Sequence, residues 1–238
     1  MATRAFSFGL VTERRVMTTS IQPRRPSRFG RRVRTHVAVG AGSLAATAFA
    51  FALVQSEDAV FRASMATAYV ALALLAVTLL FGPVAALQGQ RYPLSTDIRR
   101  DFGIWSGILA VVHVVVGLQV HMRGKMWEYF AHASQGTLLP RFDPFGLANY
   151  TGLAATVIIV VLLVTSNDAS LRRLGAHRWR KVHALASWGL VLTLVHGAAY
   201  QAIEKRVWAF VAVFALLAIP TVALRIRERR YPPRGDQI

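Results

Sequence analysis

The chain has 238 residues, 54% of them hydrophobic, a formal charge of +17 and no cysteine. That apolar content, with a positive mean hydropathy, is characteristic of an integral membrane protein rather than a water-soluble domain. The lack of cysteine excludes disulfides, thiolate-held zinc, iron–sulfur clusters, covalently attached haem and thiol catalysis. The positive charge is clustered between long apolar runs, which argues against nucleic-acid binding.

Residues 1–36 are polar and Arg-rich, including "RRPSRFGRRVRTH", and are expected to form a disordered cytoplasmic tail. Six apolar segments follow: Val37–Val54, Ala63–Leu87, Phe102–Val120, Leu147–Ser166, His183–Ile203 and Val207–Leu224. Each approaches the roughly 20 residues that a helix needs to span a bilayer. The expected fold is therefore an all-α bundle of six transmembrane helices over residues 37–226, with a short cytoplasmic tail at 227–238. The first segment ends in "AFAFA", as a cleaved signal would. Its length, and the odd number of spans that cleavage would leave, favour a retained helix. Pro83 and Pro220 fall inside two segments, a placement membrane helices tolerate.

The cationic residues set the orientation. The tail, Gln90–Asp101, Asn167–Val182 and Arg225–Ile238 hold 22 of the 28 Lys and Arg residues. By the positive-inside rule both termini are cytoplasmic, and a cell (inner) membrane is the expected location. The one long external connection, 121–146, is rich in aromatics and ends in "LPRFDPFG". It is the expected outer surface for a partner or substrate. The chain ends shortly after the last span, and no Gly-rich dinucleotide fingerprint is present. A separate electron donor is therefore expected for any redox role.

Seven histidines are present. His36, His132 and His177 fall in the tail or loops and read as solvated, and His121 reads as interfacial. His113, in "LAVVHVVVGL", and His196, in "LTLVHGAAY", lie deep in the third and fifth segments. An imidazole there is costly, so it faces the bundle interior with a polar partner or a cofactor. Under this topology both segments run outward, and the two histidines sit at heights differing by only about 3 Å. Two imidazoles level on parallel helices can clasp a planar macrocycle from both faces, as in bis-His ligation of haem b. The fold expectation thus includes haem b held between the third and fifth helices.

His183 lies at the cytoplasmic boundary, beside Arg99 and Arg100 of the third segment. Thirteen residues of ideal helix set His183 and His196 about 140° apart. Both can face one cofactor column only if the helix is distorted, or if His183 precedes its regular part. The arginines suit a propionate, a quinone head group or the membrane interface. The apolar segments contain no Asp or Glu, which speaks against a proton-coupled transporter.

Two stretches carry a family resemblance: "RRDFGIWSGILAVVH" and "TSNDASLRRLGAHRWRKVHALASWGLVLTLVH". They resemble the ferric-reductase-like transmembrane family. Within it they are closest to the haem-binding membrane subunits of bacterial methionine sulfoxide reductase systems. The resemblance implies haem ligation by His113, His183 and His196, with Arg99, Arg100 and Trp179 as contacts for propionate, quinone or donor. Oxidase-type members carry a histidine where this chain has Arg99, whereas the methionine sulfoxide reductase group has arginine there. One or two haems b are implied, with quinone or FMN as further cofactor candidates. The implied partners are a separate cytoplasmic flavin reductase or quinol donor and an extracytoplasmic reductase subunit. A stand-alone ferric-chelate reductase and a non-redox transporter or assembly protein are the alternatives.

Overall fold

In lipid, the backbone must satisfy its own hydrogen bonds, so a chain of long apolar runs resolves into helices. The computed structural model describes residues 28–87, 96–134 and 136–230. It contains α1 (Arg28–Leu53), α2 (Ala59–Leu87), α3 (Thr96–Gly117), α4 (Pro144–Thr165), α5 (Asp168–Ala184), α6 (Ala186–Ile203) and α7 (Trp208–Arg230). Among the described residues six helical stretches are long and apolar enough to cross a membrane, with α5 and α6 together forming the fifth. Several hydroxyl side chains inside the spans return their protons to the preceding turn. Ser43 donates to the Val39 carbonyl, Thr78 to Leu74 and Thr221 to Leu217. These polar groups therefore enter the bundle without an unmet hydrogen bond.

Several expected boundaries move. α1 begins at Arg28 rather than Val37, so Arg28–His36, expected in a disordered tail, form its first turns. Residues 1–27 of that tail lie outside the described residues. α3 begins at Thr96 rather than Phe102, and α7 runs to Arg230, into the expected C-terminal tail. In each case a charged turn continues a helix that apolar content alone would have ended. Asn167–Val182, expected as a basic loop, is largely the polar helix α5, capped by Asn167, whose side chain accepts from the Ser170 amide. Gly175 breaks its regularity with φ 72°, a value glycine adopts without steric cost. The 121–146 connection is ordered too. It carries a 3-10 turn (Met126–Tyr129) and an antiparallel hairpin of β1 (Ala131–Ser134) and β2 (Thr137–Pro140). The all-α expectation thus gains a small external β element.

α2 is the organising helix. It packs on α1, α3 and α7, while α4 packs on both α3 and α6. Ala66, Ala71, Ala76 and Ala85 are buried along α2, the small-residue contacts that let membrane helices approach closely. The larger aliphatics Val115, Val157, Val164, Leu216 and Ile219 are exposed, as a lipid-facing surface requires. The ring α2–α3–α4–α6–α7 closes on itself, and α1 lies outside it, against α2 and α3.

α1 is fixed by two features. Gly40 abuts the Trp105 ring, where no Cβ fits. The His36 carbonyl accepts from the Trp105 indole at 3.2 Å, and His36 Nδ1 lies 3.1 Å from Asp101 Oδ1. His36 is therefore not a solvated tail residue. Asp101, 1% exposed, is an acidic group inside the bundle, contrary to the expectation of none; the earlier start of α3 draws it in. Gly40→Ala should loosen α1 at a cost of about 1–3 kcal/mol, read as a lower Tm in detergent. Gly42→Ala, which meets open space, should stay near wild type.

Candidate functional site

The five-helix ring surrounds a partly open cavity of about 270 Å³, lined mainly by apolar side chains, with His113 from α3 and His196 from α6 in its wall. That volume is many times what one water occupies and approaches the range of small-molecule sites. α3 and α6 make little contact with each other, and the space between them is the cavity.

Both histidines are held in the same way. His113 Nδ1 lies 3.0 Å from the Ser64 carbonyl of α2, and His196 Nδ1 lies 2.8 Å from the Ala148 carbonyl of α4. A carbonyl can only accept, so each Nδ1 carries the proton and each Nε2 keeps its lone pair. Neither Nε2 has a hydrogen-bond partner among the described residues. The Ala148 carbonyl also receives the Thr151 hydroxyl at 2.7 Å, whereas the Thr67 hydroxyl lies 2.7 Å from the Ala63 carbonyl and 3.0 Å from that of Ser64. Glycine makes room for one of the rings: a Cβ on Gly152 would lie 2.7 Å from His196 Nδ1. Two neutral imidazoles fixed by backbone carbonyls, with free Nε2 atoms on one cavity, are what axial ligation of a metal macrocycle requires. Two polar atoms of the lining, Thr193 Oγ1 and Gln201 Oε1, are buried with no partner among the described residues, so the space suits an occupant with polar groups.

The hairpin end of the cavity is closed by an aromatic and polar layer. Buried Tyr129 donates to the Gly117 carbonyl at 2.9 Å and accepts from the His121 amide at 3.0 Å. Burial holds its phenol above the usual range. Tyr200 donates to Asn149 Oδ1 at 2.8 Å, and His121 Nε2 lies 3.2 Å from Glu204. Arg206 also lines this end. Burial lowers the pKa of its guanidinium from the ordinary value, and nearby Glu204 opposes that shift.

The other sequence-predicted residues gather elsewhere, at the α4–α5 junction. His183 stacks on Trp179 with ring centroids 3.8 Å apart, and its Nε2 lies 3.3 Å from Thr165 Oγ1. The Trp179 indole donates to the Thr165 carbonyl at 3.0 Å. Arg100 donates to the Ser166 carbonyl at 2.8 Å and to Asp168 at 2.6 Å. His183, Trp179, Arg99 and Arg100 do not line the cavity. His183 sits in the last turn of α5, ahead of the break at Leu185, so no single straight helix carries both it and His196. No group of three or more metal-ligating side chains is found among the described residues. Sequence reasoning missed Arg206, Gln201 and the Tyr129 layer. Their signal lay in the polar residues flanking His121 and following His196, which read as loop and helix end.

Comparison with known proteins bears on this geometry. Residues 67–194 match the family described as ferric reductase like transmembrane component. That stretch contains His113 and His183 and ends just before His196. A protein-methionine-sulfoxide reductase heme-binding subunit, MsrQ, from Ralstonia nicotianae is 28% identical over 163 residues. The match covers 65% of this chain and 65% of that relative, slightly under two thirds of its length.

Gly152→Ala should displace the His196 ring and cost about 1–3 kcal/mol of thermal stability. Added to His196→Ala it should cost much less, because the crowded ring is gone. Fully additive losses would show that Gly152 does not seat the ring.

Proposed function

This chain belongs to the ferric reductase-like transmembrane family, and on that premise we propose that it is a haem b protein relaying electrons across a membrane. One observation carries the proposal: His113 and His196, each pinned through Nδ1 to a backbone carbonyl, line one cavity with both Nε2 atoms free. Histidines that served only helix packing would have no need to leave both of those nitrogens unpaired.

His113 and His196 would hold the group through their free Nε2 atoms. The Ser64 and Ala148 carbonyls fix each ring's tautomer and orientation and raise the basicity of Nε2. The apolar lining keeps water from the site, and the hydrogen-bonded layer of Tyr129, Tyr200 and Asn149 closes it at the hairpin end. Haem bound there would supply reversible one-electron chemistry. The name of the Ralstonia relative favours haem as the group.

We assign the α5 end to the cytoplasm from the excess of Lys and Arg there, so that both termini are cytoplasmic and electrons pass towards the hairpin. The half-buried Trp179–His183 stack, with Arg99 and Arg100, is then the donor side, facing a flavin reductase, a quinol or FMN. Its His183 has no second imidazole opposite among the described residues, which favours one haem over two. The acceptor would be an extracytoplasmic reductase subunit meeting the 121–146 loop, by analogy with the system in the relative's name.

The test is a reduced-minus-oxidised spectrum of the purified protein, with haem counted per chain. The expected result is a b-type spectrum at one haem per chain that is lost in both His113→Ala and His196→Ala and kept in His183→Ala. A folded protein that takes up no haem would overturn the proposal.

A further inference from the structure

The haem reading accounts for two imidazoles in the cavity wall but leaves a cation there unexplained. Arg206 lies between α6 and α7, and the turn that places it is specific. The Lys205 amide donates to the Ala202 carbonyl at 3.3 Å and the Arg206 amide to the Gln201 carbonyl at 3.1 Å. This is the paired bonding of a Schellman motif, with Lys205 in the left-handed position at φ 46°. Glycine is the usual occupant there, and a side chain costs on the order of 1 kcal/mol. The strained turn folds Arg206 back over the cavity instead of releasing it into the loop.

Once there, the guanidinium is poorly partnered. Its Nη1 donates to the Met65 sulfur at 3.0 Å, a weak acceptor, and its carbon lies 5.0 Å from the Phe61 ring centroid. No carboxylate lies within ion-pairing distance of it among the described residues, and Glu204 pairs with His121. On the same turn, buried Gln201 Oε1 is also unpartnered. A half-buried guanidinium with most of its five donors unused is fitted to a planar anion that binds two of them at once.

We propose that Arg206 anchors a carboxylate of the bound macrocycle, so that its acidic edge faces the hairpin end of the cavity and not the α5 end. This rests on the haem reading above and adds the orientation of the group. The same cation, beside the site, stabilises the state carrying more negative charge and so raises the midpoint potential.

The test compares wild type, Arg206→Gln and Arg206→Lys in detergent, each loaded with protohaem or with its dimethyl ester, which has no carboxylate. Haem loss is followed by transfer to a haem-free globin, and the midpoint potential is recorded. Losing a charge-assisted hydrogen bond should speed protohaem loss from Arg206→Gln roughly tenfold or more. The potential should fall, and Arg206→Lys, which keeps the charge but not the two-donor fork, should recover most of the potential and only part of the haem retention. With the ester, wild type and Arg206→Gln should lose haem at the same rate, while the lower potential of Arg206→Gln persists. Equal acceleration with both macrocycles, or none with either, overturns the anchor while leaving the haem reading intact. A wild-type protein that binds neither macrocycle overturns both.

Discussion

Everything at this site depends on two backbone carbonyls. An imidazole inside a lipid-embedded bundle must place its N–H on something, and the acceptor it finds decides which nitrogen remains available. The Ser64 and Ala148 carbonyls take the Nδ1 protons of His113 and His196. They thereby convert two costly buried polar groups into two oriented lone pairs. Had the rings turned over to bond through Nε2, as His183 does towards Thr165, the cavity would have no ligands to offer.

The device is used twice. α2 holds the histidine of α3, and α4 holds that of α6, in each case through a backbone carbonyl to Nδ1. The cavity is thus the seam between two similarly built helix pairs, with α7 and the hairpin layer closing its remaining sides. The orientation of each ring is set within its own pair, while the gap between the rings is set by how the pairs meet, chiefly where α3 touches α4. Ring orientation and the width of the gap are therefore governed by different contacts.

Much of this was legible in the sequence. The six apolar segments have a strong signal because a span needs its length in apolar residues, and His113 and His196 stood out because an imidazole is conspicuous in such a run. What holds those rings was not legible. Ala148 acts through its carbonyl alone, which every residue possesses, and Ser64 chiefly through its own, with its hydroxyl 3.3 Å from His113 Nδ1; neither marks its position as a histidine's partner. α5 resembles a loop in sequence because its charges, and the break at Gly175, hide a helix, and Asp101 is hard to find because Arg99 and Arg100 give its turn a solvated look. Arg206 has no distinguishing pattern in the sequence, because the left-handed lysine ahead of it is a backbone property with no signature in composition.

One feature of the architecture bears on how the protein can be altered. α1 forms no wall of the cavity; it rests against the outside of the ring and touches α3 through Gly40 and His36. The helix that carries the basic tail is therefore separable from the chamber, and exchanging it for a different membrane anchor would leave both imidazoles and their acceptor carbonyls in place. The exchange has one chemical condition. Asp101 is almost fully buried and relies on His36 as its partner, so a replacement anchor must bring its own cation or donor to that depth, or the aspartate must be made apolar with it.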